Sequence, residues 1–186
     1  MPNSDRHAPD ERLNPILSRA GGGDPAAMSE LRALMQDFPE DARLHFLEGS
    51  FLASEKEYAA ARTAMARAVD LNPLFYLARF QLGLLIFSSG EPAAATSVWQ
   101  PLHDLDRANP FRLFAEGLEA LGRDEFTVAR SKLSEGIASN SDNAPLNRDM
   151  GMLITQIDAL GDGPPGAPQT SEAHFLLSQF RTSTKH

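Results

Sequence analysis

The sequence predicts an all-α fold of stacked helix–turn–helix repeats, because one spacing recurs along most of its 186 residues. Three columns of residues advance in steps of 34 positions, and each column keeps one kind of side chain. The glycine column is Gly49, Gly83, Gly117 and Gly151. The alanine column is Ala27, Ala61, Ala95 and Ala129, and the column of large residues is Leu31, Met65, Trp99 and Leu133. A period in this range is typical of helical arrays, in which each repeat buries its apolar stripe against the next.

The helices are predicted in order from their breaks. Residues 1–10 are polar and expected to be disordered. A short helix over 15–20 ends at three glycines, and Asp24-Pro25 then forms an N-cap followed by proline at the first helical position. Apolar periodicity, interrupted by Asn-Pro pairs and glycines, indicates the remaining helices. They span about 25–37, 42–54, 57–71, 75–89, 91–106, 111–122, 124–139 and 144–160.

Beyond Leu160 the composition changes. Residues 161–170 are rich in glycine and proline, which predicts a flexible linker. The C-terminal segment, residues 171–186, is amphipathic, and its first part to about Arg181 is compatible with a helix. Its apolar residues are Phe175, Leu176, Leu177 and Phe180.

Composition excludes several functional classes. The formal net charge is −8, whereas nucleic-acid binding depends on neutralising phosphates with Lys and Arg, so we expect no nucleic-acid partner. Cysteine is absent, which excludes disulfides and thiol catalysis and favours a cytoplasmic location. The polar N-terminus does not resemble a signal peptide, and the apolar run Leu82 to Phe87 is too short to span a bilayer, so membrane insertion is not expected.

The repeat resembles the tetratricopeptide repeat (TPR), a helix–turn–helix unit of 34 residues whose two helices are called A and B. The matching residues of the best copy, 42–75, are Gly49 on helix A, Tyr58, Ala61, Met65 and Ala68 on helix B, and the closing Asn72-Pro73. Copies 76–109 and 110–143 keep the pattern but depart from it at Pro92, Arg107 and Gly136.

The resemblance extends over residues 11–160. Residues 11–41 match a degenerate copy, and residues 144–160 match helix A of a fourth copy, where they would act as a capping helix. A right-handed α-solenoid of about three and a half repeats is therefore implied, with the C-terminal segment as a helical tail.

Members of this family bind peptides on an inner, concave wall built from positions 2, 5, 9 and 12 of helix A. Some members place Lys and Asn there to clamp a terminal carboxylate, but this chain has Phe at the Lys position. The first full copy reads Arg43, Phe46, Ser50 and Ala53. The next two copies contribute Leu77, Phe80, Leu84, Phe87, Phe111, Phe114, Leu118 and Leu121. The resemblance therefore implies an apolar peptide-binding groove.

An apolar trough of this size is unusual in a monomer unless something covers it. An apolar or amphipathic helix of a partner protein suits such a groove. The apolar residues of the C-terminal segment are a second candidate, bound within the chain or exchanged with a neighbour in a homodimer. Two alternatives stay open. The inner-wall side chains are ordinary core between helices, or the C-terminal segment packs on the end cap or is disordered.

Residues suited to catalysis are not grouped in the sequence. The five histidines show no metal-ligand spacing, so neither a metal nor a cofactor is expected. Glu48 and Glu116 occupy the same repeat position, where a contact with Arg79 or Arg112 is the ordinary interpretation. We therefore expect no enzyme but a protein-interaction module, that is, an adaptor, scaffold or chaperone. Size and acidity are similar to those of class II type III secretion chaperones, and a homo-oligomer built by tail exchange is the other alternative.

Overall fold

In the computed structural model, residues 7–20 and 24–161 are described, and these ranges form helices and turns without a strand. The helices are α1 (Asp10–Ala20), α2 (Pro25–Asp37), α3 (Ala42–Ser54), α4 (Tyr58–Leu71), α5 (Tyr76–Ser88), α6 (Pro92–Trp99), α7 (Pro110–Gly122), α8 (Phe126–Ser139) and α9 (Ala144–Gly161), with a 3-10 helix, Gln100–Asp104, after α6. Neighbours along the chain pack together, most extensively α3 with α4 and α7 with α8. The chain divides into two compact units, Met1–Leu82 and Gly83–His186.

Three turns that join a helix A to its helix B share one geometry. Their left-handed residues are Lys56, Gly90 and Asp124, with φ of 65°, 86° and 58°, and they follow the 34-residue step. In the first turn the Glu57 N–H donates to the Leu52 carbonyl at 2.8 Å, and the Lys56 N–H donates to the Ala53 carbonyl at 3.0 Å. The same two bonds close the other two turns. This is the Schellman arrangement, which satisfies the last carbonyls of helix A and reverses the chain.

A glycine on each helix A lies against the large side chain sixteen residues later on helix B. The pairs are Gly49–Met65, Gly83–Trp99 and Gly117–Leu133. A Cβ at position 117 would lie 2.9 Å from Leu133 Cδ2 and 3.2 Å from the Ala129 carbonyl oxygen, and one at position 83 would overlap the Trp99 indole. Met65, Trp99 and Leu133 are at most 4% exposed. The predicted core role of the glycine and large-residue columns is therefore confirmed within each of these pairs.

The N-terminal helix starts earlier than the sequence predicts. Its first residue is Asp10, whereas the prediction begins at Pro15, and Ala8 before it is buried. The Ala8 N–H donates to the Asp41 carboxylate at 2.9 Å, and Arg43 binds Asp10 at 2.8 Å. These tertiary contacts hold residues 7–10 in place, so the expectation of disorder is wrong for that stretch.

The predicted helix 91–106 is divided. Helix α6 ends at Trp99, and the 3-10 helix continues to Asp104. Pro101 causes the change, because it has no N–H to donate to the carbonyl of the preceding turn. The 3-10 helix buries Leu102 completely.

Replacing Gly117 by alanine is expected to destabilise the second unit by about 1–3 kcal/mol, because the added methyl group overpacks the contact with Leu133. Gly151→Ala is the matched control from the same column. A Cβ there meets no atom of the described chain within 4 Å, so alanine is expected to add about 0.5–1 kcal/mol through its higher helix propensity. Urea unfolding followed by the fluorescence of Trp99, the single tryptophan, measures both. A Gly117→Ala protein as stable as the wild type would contradict the packing argument.

Candidate functional site

The predicted inner-wall residues differ in exposure. Three of the nine apolar side chains are half-buried, namely Phe46, Leu77 and Phe111. The other six are buried, at 8% exposure or less, namely Phe80, Leu84, Phe87, Phe114, Leu118 and Leu121. An open trough across all nine is therefore not observed, and their role in binding a peptide stays a prediction. Phe175, Leu176, Leu177 and Phe180, the candidate ligand within the chain, lie outside the described residues.

Two of the buried aromatic residues form part of the packing between helices. The Phe114 ring fills the space left by Gly136 on α8, where a Cβ would lie 2.5 Å from that ring. Gly136 stands where the repeat pattern expects alanine, so this departure from the pattern makes room for the ring. The Phe87 ring lies 5.7 Å from the Trp99 ring between centroids. For Phe87 and Phe114, the interpretation as ordinary core between helices explains what one face of each ring contacts.

One exposed and three half-buried apolar side chains lie on α3 and around the turn before α5. We call Phe46, Leu74, Phe75 and Leu77 the α3 patch. The Phe46 and Phe75 rings pack with centroids 5.1 Å apart and planes tilted by 60°. Leu74, in the turn before α5, is 70% exposed. Among the large hydrophobic side chains of the described chain it is the most exposed, which suits a contact with another molecule.

Sequence reasoning missed Leu74 and Phe75, although a signal was present. At the position before helix A, the other copies carry an N-cap side chain that accepts a backbone N–H, as Asp41 and Asn109 do. Phe75 occupies the equivalent position, where an aromatic ring has no oxygen to accept that bond. Its ring instead packs on Phe46. An aromatic residue in a column of capping residues is therefore the feature that could have identified the patch.

The polar groups beside the α3 patch are already paired. The Arg43 guanidinium donates to the Asp41 carboxylate at 2.7 Å, to Asp10 at 2.8 Å and to the Ala8 carbonyl at 2.6 Å. Burial acts to raise the pKa of Asp41, but hydrogen bonds from Arg43 and the Ala8 N–H outweigh it and leave the pKa below the ordinary value. Arg43 is therefore held by groups of its own chain.

A second polar cluster braces the second unit. Arg112 donates to Glu116 at 2.8 Å and to the carbonyls at positions 103 and 105 at 2.7 and 2.9 Å. Lys132 binds Glu116 at 2.9 Å. Glu116 does bind Arg112, but within one helix and not between repeats as expected, and Glu48 lies 4.0 Å from Arg32. Glu116 on α7 faces Lys132 on α8, and Glu48 on α3 faces Arg32 on α2, so each of these ion pairs joins two helices.

A shallow cleft of about 330 Å³ lies between α1 and α2 in the first unit. Ile16 and Leu34 contribute to its apolar floor, and Glu30 and Arg12 lie on its rim. Both rim charges are paired within the chain, Glu30 with Arg19 and Arg12 with Asp37. The cleft therefore presents apolar surface with no unpaired charge from these two residues.

Within residues 7–20 and 24–161, no three His, Asp, Glu or Cys side chains come together as metal ligands do. No helix in that part of the chain combines the length and the apolar character needed to cross a bilayer. No family model matches the chain, and neither a curated protein nor a solved structure matches it.

Replacing Asp41 by asparagine is expected to lower the free energy of unfolding of the first unit by about 2–3 kcal/mol at pH 7, because Arg43 loses its buried partner. The folded-state pKa of Asp41 is depressed. The stabilisation is therefore present above the ordinary aspartate pKa of about 3.9 and is lost as pH falls through the folded-state pKa. Urea unfolding followed by circular dichroism across pH measures this difference, which should shrink on acidification. Asp24→Asn, an N-cap on the surface, is the control, and a difference independent of pH would contradict the assignment.

Proposed function

We propose that this chain is a non-catalytic α-solenoid of TPR-type repeats that binds an apolar or amphipathic helix of a partner protein. Three features support the repeat assignment: the 34-residue step of the glycine contacts, the three Schellman turns, and the packing of neighbouring helices in pairs. Such arrays bury their apolar stripes between repeats and use the helix-A side for recognition. The lack of cysteine favours a cytoplasmic setting.

The observation that carries the proposal is the α3 patch. Leu74 is 70% exposed and precedes Phe75, whose ring packs on Phe46, and Leu77 at the start of α5 is half-buried. An exposed leucine next to half-buried phenylalanine rings suits the apolar stripe of a helix, whose anchors recur every three or four residues. Phe46 stands where a carboxylate clamp would have lysine and Arg43 is bound within the chain, so the site does not suit a terminal carboxylate.

The proposal has two forms, which differ in the molecule that supplies the helix bound at the α3 patch. The partner helix can belong to an apolar client segment, which would make the protein a chaperone of the kind used in secretion. It can also belong to a second copy of this chain, which would make the protein a structural homo-oligomer joined by tail exchange. Both use the same apolar surface, so the identity of the molecule captured at Leu74 separates them.

A photo-crosslinking amino acid at position 74, introduced in the native host, is expected to capture one discrete partner through the exposed patch. Val128 on α8, 47% exposed, is the matched control, and a probe there should not capture that protein. With the partner purified, Leu74→Glu is expected to weaken binding about tenfold or more, since burying a leucine is worth about 1.5–3 kcal/mol. Val128→Glu should bind as the wild type does.

The same crosslinking and binding measurements can also give results that contradict this proposal. Capture of the chain by itself at position 74 would favour the homo-oligomer over an adaptor. Equal capture at positions 74 and 128, or equal weakening by both glutamate variants, would contradict a specific site at the α3 patch.

A further inference from the structure

The first helix pair departs from the glycine column that closes the later pairs. One step of 34 residues before Gly49, the column continues to Pro15 in the middle of α1. Gly49 leaves so little room that a Cβ there would lie 2.6 Å from Met65 Cγ. An equivalent gap cannot hold a proline ring, since it is already too small for one methyl group. The close approach of α3 to α4 is therefore not available to α1 and α2.

The two N-terminal helices are accordingly separated on the Pro15 side. Helices α1 and α2 pack less extensively than α3 and α4. Pro15 is exposed, whereas Gly49, Gly83 and Gly117 at the same repeat position are buried. Pro15 also lines the cleft of about 330 Å³ between the two helices. The cleft therefore follows from the residue at position 15.

The same proline leaves a backbone acceptor without its helical donor. In a regular α-helix the N–H of residue 15 would donate to the carbonyl of Glu11, but proline has no N–H. Residues four positions apart lie on one face of a helix, so this carbonyl lies on the Pro15 side of α1. Glu11 is itself one of the residues that line the cleft. Helix α1 therefore offers a backbone acceptor beside the apolar floor.

The charged side chains around the cleft leave one carboxylate in excess. Arg12 binds Asp37 at 2.8 Å, and Arg19 binds Glu30. The exposed carboxylate of Glu11 makes neither an ion pair nor a hydrogen bond with any residue in the ranges 7–20 and 24–161. The guanidinium groups nearby are thus engaged by other carboxylates, and Glu11 stays available to a ligand.

These features define the chemistry of a ligand for the cleft. Its apolar lining comes from Pro15, Ile16, Ala33 and Leu34, whereas the carbonyl and the ionised carboxylate of Glu11 only accept hydrogen bonds. Arginine combines an apolar stem with five donors, and its guanidinium can bind a carboxylate through two parallel hydrogen bonds. The volume is at the lower limit of small-ligand sites, which suits one side chain and not a whole helix.

We propose that the cleft between α1 and α2 is a docking site for an arginine side chain of a partner protein, with the stem on Pro15 and Ile16 and the guanidinium on Glu11. The net charge of −8 favours the approach of a basic segment. The cleft shares no residue with the α3 patch, so this inference goes beyond the proposed function and does not rest on it.

Titration of the full-length, isotope-labelled protein with a short peptide tests the site. The probe is acetyl-Leu-Arg-Leu-amide, and acetyl-Leu-Gln-Leu-amide is its uncharged control, both at about 0.15 M salt to screen general attraction. We expect amide signals of residues 11–19 and 30–37 to shift. The arginine peptide should bind about threefold to fivefold more tightly than the glutamine peptide, as measured for exposed ion pairs.

Two pairs of variants assign the contacts. Glu11→Gln is expected to remove the preference for the arginine peptide, whereas Glu55→Gln, which changes the net charge equally at another exposed position, should preserve it. Ala33→Leu is expected to weaken both peptides because the larger side chain fills the cleft. Ala60→Leu, at an exposed position of α4, should leave both affinities unchanged.

Three results would overturn the proposal. Equal binding of the two peptides to the wild type would assign the cleft to an apolar side chain. An arginine preference that survives Glu11→Gln would show that the attraction comes from the general negative charge. Shifts confined to residues outside α1 and α2 would place the peptide elsewhere. Crosslinking at position 74 reports on the α3 patch alone, so none of these results bears on the proposed function.

Discussion

The close approach of helix A to helix B at one glycine in each pair governs the rest of the structure. Gly117 allows Leu133 to enter the space that a side chain would occupy, and Gly49 does the same for Met65. Contact at this distance aligns the two helices along their length, so the residues on either side of the glycine meet the partner helix in a repeated register. The turn that joins the helices must then reverse the chain within a few residues. The left-handed residue of the Schellman turn meets that requirement, and Lys56 and Asp124 adopt this conformation although they are not glycine.

Most of the fold could be predicted because packing within a helix pair is a local property. The helix-A glycine and its large partner are sixteen positions apart, and one period of 34 residues reproduces the arrangement. The predicted helix bounds are wrong where contacts with distant residues, or the chemistry of one side chain, override the apolar periodicity. Asp10 begins α1 because Arg43 and Asp41, more than thirty residues away, bind that region. Helix α6 gives way to a 3-10 helix because Pro101 removes one backbone donor, a loss that apolar periodicity does not record.

The candidate site was less predictable than the fold, because periodicity identifies an apolar helix face without showing what lies against it. Phe46 and Phe114 occupy the same repeat position, yet Phe46 is half-buried and Phe114 is 0% exposed. Part of the difference comes from Gly136, which gives the Phe114 ring a place on α8. On α3 the corresponding ring packs instead against Phe75, which has replaced a capping side chain. The neighbours Gly136 and Phe75 therefore account for part of the difference in exposure between these two phenylalanines.

The last helix of the described chain lacks the close glycine contact that the earlier helix pairs share. Gly151 continues the glycine column, but its Cβ position meets no atom within 4 Å in the described chain, unlike Gly49, Gly83 and Gly117. A helix A without its helix B would normally expose the apolar stripe that the pair buries. In α9, Arg148 and Thr155 occupy the positions of Phe114 and Leu121, and both are exposed. The buried residues of α9 are confined to the stripe Leu146, Met150, Leu153 and Ile157. Arg148 and Thr155 therefore interrupt the apolar pattern at two of these positions of α9, whereas Met152 at a third is apolar and 39% exposed.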